Sequence, residues 1–259
     1  MQPYKGKPCA NRLNYTYRKE QAMKTTIITI MTIIIVFALT TISYCQNKEQ
    51  EDPTDASINA FKQAIAANPE FVEAHYNLGV LYDEKGMTEE AIGAYIKTIE
   101  TDANFVKAYN NLSVIYYKQK QTDKAIETIK KAIAISPKYS EALYNLGIYY
   151  YDKTQYHEAI KAFDDAVKLS TRFDMGFYNL GVAYAAINAT DESIAAFKRV
   201  IELNPKYPDA YYNLGVAYSK KNQFDEAIQL LKKALEINPQ DSKAHFAMGI
   251  IYTVKDKAK

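Results

Sequence analysis

From about residue 54 onward, apolar residues recur at intervals of three, four and seven, the spacing of amphipathic helices. One cluster returns on a fixed period of 34: Asn77-Leu78-Gly79 reappears as Asn111-Leu112-Ser113, Asn145-Leu146-Gly147, Asn179-Leu180-Gly181 and Asn213-Leu214-Gly215, with Ala247-Met248-Gly249 in the same register. Three residues later comes a tyrosine each time: Tyr82, Tyr116, Tyr150, Tyr184, Tyr218 and Tyr252. Each unit also holds a small residue (Ser57, Ala91, Ala125, Ala159, Ser193, Ala227), followed four positions on by a large one (Phe61, Tyr95, Ile129, Phe163, Phe197, Leu231). Three further on stand Ala64, Thr98, Ala132, Ala166, Val200 and Ala234.

This pattern predicts two helices per unit, an A helix carrying Asn-Leu-Gly and a B helix carrying the small and large residues. Thr54, Thr88, Thr122 and Thr190 stand where B helices should start and are expected to cap them, followed by acidic residues that the helix dipole favours. Pro69, Pro137, Pro205 and Pro239 are placed to close four of the B helices, since proline disfavours helical geometry in the residue before it. A glycine inside a helix costs about 1 kcal/mol against alanine. The expected compensation is close approach, with Gly79 opposite Ala91 and Leu78, Tyr82 and Tyr95 filling the flanks. Pairs of helices this short are marginal alone, so stacked neighbours should complete a solenoid.

Over residues 54–253 the chain resembles the tetratricopeptide repeat (TPR) family, whose pattern is Trp-x2-Leu-Gly-x2-Tyr, then Ala-x3-Phe, Ala and Pro in 34 residues. The departures are His75, Tyr109, Leu143, Phe177, Tyr211 and His245 at the Trp position, Ser113 for one glycine, and Ala103 and Thr171 for two prolines. The resemblance implies an all-α, right-handed superhelical solenoid of antiparallel helix pairs. Its units would be a half repeat 54–71, full repeats 72–105, 106–139, 140–173, 174–207 and 208–241, and a half repeat 242–259. It also implies a concave groove lined by A helices that holds a protein or an extended peptide. Asn77, Asn111, Asn145, Asn179 and Asn213 are then candidates for a ladder pairing with a peptide backbone, each amide able to donate and accept. Beside them run Tyr76, Tyr144, Tyr178 and Tyr212, with Asn110 and Phe246 at the same register, a row that also suits packing between units. Chaperone-binding members of the family clamp a terminal carboxylate with lysine at this register; here it is aromatic or Asn, so that clamp should be missing.

Composition and charge narrow the partners. Residues 1–45 hold Lys5, Lys7, Arg12, Arg18, Lys19 and Lys24 against Glu20, a net +5, which leaves −3 for the rest of a chain whose total is +2. A mildly acidic array lacks the basic stripe that follows phosphates, so nucleic acid is not expected. Residues 25–44 are uncharged and most apolar over 27–39, a length that suits a signal peptide, with Ser43-Tyr44-Cys45 ahead of a cleavage at Gln46. A signal anchor and a lipidated Cys45 are the other readings. Met23-Lys24 resembles a natural start, so residues 1–22 read as an upstream extension or disordered tail, 23–45 as the export segment and 46–53 as a linker. Cys9 and Cys45 both precede the array, which therefore cannot rest on disulfides.

Chemistry-bearing clusters are not evident. His75 and His245 sit at core positions of A helices, His157 stands near the start of a B helix, and no pair has ligand or triad spacing. The adjacent Asp164 and Asp165 face different directions on a helix. No cofactor or metal is expected. The sequons Asn111-Leu112-Ser113 and Asn188-Ala189-Thr190 matter only in a glycosylating pathway. The sequence thus predicts a non-catalytic scaffold, exported to the periplasm or cell exterior or anchored with its array outside the cytoplasm. The alternative is a structural subunit, a homo-oligomer whose half repeats at 54–71 and 242–259 complete one another head to tail into a filament.

Overall fold

A computed structural model describes Met31 and residues 52–257. The N-terminal tail, the export segment apart from Met31, Cys9 and Cys45, and the linker up to residue 51 lie outside the described residues. Twelve α-helices and no strand occur among the described residues. The A helices are α2 (Val72–Glu84), α4 (Val106–Lys118), α6 (Ser140–Asp152), α8 (Asp174–Ala186), α10 (Pro208–Lys220) and α12 (Ser242–Lys257). The B helices are α1 (Pro53–Ala67), α3 (Thr88–Thr101), α5 (Thr122–Ile135), α7 (Tyr156–Leu169), α9 (Thr190–Leu203) and α11 (Phe224–Ile237). The chain divides into two compact units, residues 1–59 and 60–259. In the first, Asp52 Oδ1 accepts the Thr54 N–H at 3.0 Å and so caps the opening of α1.

In the second unit each A helix packs most extensively on the B helix that follows it, and that B helix packs on the next A helix. A helices of adjacent repeats also touch, α4 with α6, α6 with α8, α8 with α10 and α10 with α12, whereas no pair of B helices meets as extensively among the described residues. The A side is therefore the crowded, inner side of the solenoid.

Turn chemistry explains the abrupt reversals. After each of α2, α4, α6, α8 and α10 the second loop residue takes a left-handed conformation: Gly86 (φ 72°), Lys120 (63°), Thr154 (58°), Asn188 (59°) and Asn222 (60°). The next N–H then folds back to the tyrosine carbonyl five residues earlier, as in Met87 to Tyr82 (2.8 Å) and Gln155 to Tyr150 (2.9 Å), the Schellman closure. Only Gly86 takes this conformation free of steric cost. The expected threonine caps do not form. The N-cap positions of α3, α5 and α9 are Met87, Gln121 and Ala189, none making a side-chain cap bond, and the threonines are the first helical residues. Thr88 and Thr190 direct their hydroxyls backward to the carbonyls of Gly86 (3.4 Å) and Asn188 (3.3 Å), because the tight loop brings those oxygens within reach. The prolines do follow the ends of α1, α5, α9 and α11, one residue past an Asn or Ser.

Close approach is real, and a large side chain of the B helix stands nearest the glycine of the A helix. A Cβ on Gly79 would stand 2.8 Å from Tyr95, on Gly147 2.5 Å from Phe163, and on Gly181 2.8 Å from Phe197. The large residue four positions after Ala91 fills the notch over Gly79, and the small-residue register stands beside such notches: Ala227 O would lie 3.2 Å from a Cβ on Gly215, and Ser193 Oγ donates to Gly181 O at 2.9 Å. Tyr95, Ile129, Phe163, Phe197 and Leu231 are all buried to within 1 % of full. Where Ser113 replaces glycine the opposing residue is the slimmer Ile129, and the serine hydroxyl is used: it donates to Asn110 O (2.7 Å) and meets Tyr149 Oη at 3.1 Å. On α12 the same notch is empty, since nothing lies within 4 Å of a Cβ on Gly249. Around it Phe246, Ile250, Tyr252 and Val254 are exposed. Phe61 on α1, the counterpart of the five fully buried knobs, is only half-buried.

Candidate peptide-binding site

The asparagine row and the tyrosine row are one hydrogen-bonded network. Asn111 Nδ2 donates to Tyr76 Oη at 3.3 Å and lies 3.3 Å from Tyr95 Oη, Asn179 Nδ2 donates to Tyr144 Oη at 2.8 Å, and Asn213 Nδ2 donates to Tyr178 Oη at 3.1 Å. The bonds to Tyr76, Tyr144 and Tyr178 each join an A helix to the A helix before it. Asn110 takes the tyrosine's place in the second repeat, accepting from Asn145 Nδ2 at 2.9 Å. Its own Nδ2 faces Glu141 Oε1 at 3.1 Å. An ionised carboxylate only accepts, so this contact orients Asn110, and Asn110 in turn orients Asn145. Asn77 and Tyr212 hold the same registers on α2 and α10, both half-buried.

The tyrosine rings lie between aromatics of their own repeat and the next. Tyr76 meets Tyr95 at 5.9 Å and Phe105 at 4.9 Å; Tyr144 meets Phe163 at 5.8 Å and Phe173 at 4.7 Å; Tyr178 meets Phe197 at 5.8 Å and Tyr207 at 5.1 Å. Offset and tilted pairs of this kind each add about 0.5–1.5 kcal/mol beyond area burial. Tyr212 lacks the sandwich because Leu231 and Asp241 occupy the two aromatic positions, and it packs instead on the Ala227 and Leu231 cluster. The row is therefore part of the joint between repeats as well as a wall of the inner face.

Burial perturbs several phenols. It pushes Tyr95 up to about 12, opposed in part by the Asn111 hydrogen bond, and Tyr149 up to about 12, opposed by Ser113. The ordinary value is 10, so the stability from these neutral phenols is complete below pH 10 and is lost as pH rises from there through about 12. Tyrosinate absorbance and helical circular dichroism should change together in an alkaline titration, and Tyr149→Phe should move the helical transition to higher pH. Tyrosine ionisation complete at pH 10 with the helices intact would contradict this.

Two features escape a reading of the asparagine register alone. Three residues past each asparagine stands a branched aliphatic residue, Val80, Val114, Ile148, Val182 or Val216, all half-buried. The 34-residue spacing of these residues, and of Phe105, Tyr139, Phe173 and Tyr207 beneath the tyrosines, was the signal that could have found them. The aliphatic row borders clefts between successive A helices. One, of about 180 Å³, is lined by Ile148, Tyr151, Phe163, Asn179 and Val182. The next, of about 40 Å³, includes Phe197, Asn213, Val216, Ala217 and Lys220.

Two of the histidines are tied to backbone carbonyls. His75, buried, contacts Pro69 O through Nε2 at 2.8 Å; His245 makes the same contact to Pro239 O at 3.0 Å but is exposed, so it is not the core residue expected. Its exposure follows from the uncovered face of α12. Asp164 pairs with Lys168. Among the described residues no group of His, Cys, Asp and Glu could hold a metal ion, and no helix is long and apolar enough to cross a membrane. The first sequon is inaccessible, with the Asn111 amide engaged and Ser113 fully buried.

Comparison with known proteins agrees with the geometry. The tetratricopeptide repeat family matches residues 72–105, 105–172 and 208–241, and its TPR repeat form matches 54–86 and 183–222. No curated protein matches the chain. Among solved structures the chain is similar to YrrB, described as a TPR protein with an unusual peptide-binding site, at 28 % identity and a TM-score of 0.66 over 73 % of this chain and 97 % of that one. It is also similar to MamA protein, at 31 % identity and a TM-score of 0.61 over 68 % of this chain and 96 % of that one. Pseudomonas aeruginosa pilF, at 22 % identity and a TM-score of 0.62 over 72 % of this chain and 86 % of that one, shares the fold. Repeat period, stacked helix pairs and matched family all converge: this chain belongs to the tetratricopeptide repeat family.

Proposed function

We propose that the chain is an exported, non-catalytic scaffold that binds a protein or an extended peptide along the inner face of its A helices. The observation that carries this reading is the oriented amide row. Asn111, Asn145, Asn179 and Asn213 each commit Nδ2 to the preceding A helix, and no donor reaches the Oδ1 of Asn145, Asn179 or Asn213 among the described residues. Those oxygens are acceptors held in place for a partner's backbone N–H groups. The likeness to YrrB supports a peptide as one form of partner. Export is inferred from the uncharged residues 25–44 behind Lys24.

A pulldown from the native host with the Asn145→Ala/Asn179→Ala variant should recover fewer partners than the parent at equal helical content. Unchanged recovery would remove the amide row from the mechanism. Cell fractionation with N-terminal sequencing tests export, and an intact N-terminus in the cytoplasm sinks it.

A second reading, self-assembly, is favoured by the empty Gly249 notch and the half-buried Phe61. In each complete repeat with glycine at this register a B-helix knob fills the notch, and Phe61 of one copy matches Gly249 of another. The contact would be heterologous and would extend unless it closed into a ring. Light scattering should show growth with concentration that Gly249→Leu abolishes; a strictly monomeric parent at high concentration excludes it.

A further inference from the structure

The two inner clefts repeat one register apart, and their spacing defines an occupant. Asn179, Val182 and Phe163 in the first cleft correspond, 34 residues on, to Asn213, Val216 and Phe197 in the second. Successive A helices touch without packing as closely as an A–B pair, so the clefts lie one such spacing apart, about 10 Å, the upper end of the range for packed helices. A polyproline-II segment rises about 3.1 Å per residue with three residues per turn, so side chains at i and i+3 share a face about 9 Å apart. An extended β segment would turn alternate residues away and mismatch this period. A polyproline-II backbone also makes no internal hydrogen bonds, which leaves its N–H groups for Asn179 Oδ1 and Asn213 Oδ1 at the cleft walls.

Charge on the same stripes sets the ends. Residues four apart align on each A helix: Tyr144, Ile148 and Asp152 on α6, Tyr178, Val182 and Ala186 on α8, Tyr212, Val216 and Lys220 on α10. The stripes thus end in an exposed carboxylate, an uncharged residue and an exposed ammonium in turn. Resting on the groove reading above, we infer that residues 140–220 bind a polyproline-II peptide with two branched aliphatic side chains three residues apart, basic on the α6 side and acidic on the α10 side. The aliphatic side chains enter the two clefts, Asp152 meets the basic residue and Lys220 the acidic one.

The test is fluorescence anisotropy of the full chain with labelled peptides. The parent peptide is Lys-Pro-Val-Pro-Pro-Val-Pro-Glu; control peptides keep its composition and set the valines two or four apart. The expected result is affinity for the parent higher by roughly tenfold than for either control, as burial of one more valine implies. Val182→Asp, with helical content unchanged, should weaken the parent by a similar factor. Lys220→Glu should weaken the parent and recover binding to a peptide ending in lysine. Equal affinity for the three spacings, or no effect of Val182→Asp, overturns the two-cleft inference. If no peptide binds while the asparagine double variant still loses partners, the inference fails and the groove reading stands. Failure of both experiments removes both.

Discussion

Phe163→Ala is expected to lower stability by about 3–5 kcal/mol, the usual loss when a buried aromatic leaves a cavity. Phe163 is 1 % exposed and lies in a cluster with Ala159, Val167 and Leu180. The ring fills the notch over Gly147 and stands 5.8 Å from Tyr144, whose hydroxyl accepts from Asn179. One truncation therefore loosens the α6–α7 pair and also the clip that holds the fourth repeat on the third. In an array where each repeat contacts only its neighbours, such damage localises. Hydrogen exchange should accelerate first in α6, α7 and α8, and urea unfolding should move to lower concentration or split into two transitions. A shift worth less than about 1 kcal/mol would mean that the knob is not what holds the pair together.

Gly147→Ala and Gly249→Ala should move stability in opposite directions. Intrinsic propensity favours alanine in either helix by about 1 kcal/mol. At residue 147 the new methyl would stand 2.5 Å from the fully buried Phe163 ring. Overpacking of that kind costs about 1–3 kcal/mol and outweighs the gain. At residue 249 nothing lies within 4 Å, so the propensity term acts alone and the variant should be more stable by about 1 kcal/mol. Paired denaturation curves decide the matter. Stabilisation by both substitutions would show that the glycines answer no packing demand. Destabilisation at residue 249 would show that its notch is already filled in solution.

Repetition made the fold readable. Leu78, Tyr82, Ala91 and Tyr95 would be weak evidence singly, but their return every 34 residues fixes two helices per unit and the face each one buries. The threonine caps went astray because a cap depends on atoms that a register locates only to within about one helical turn. The candidate site was half legible. Its asparagine and tyrosine registers could be named, but as separate ladders, since nothing along the chain says that Asn179 Nδ2 points at Tyr144 Oη.

The sequence by itself determined the helix pair, the period and the face that each helix buries, because helical periodicity and glycine placement are local properties of the chain. Only the tertiary structure decided how the rows are used. The amide-to-phenol clips span 35 residues, and the clefts exist only where two A helices meet. Asn110 is turned by Glu141, a carboxylate that only accepts, and that neighbour belongs to the adjacent repeat.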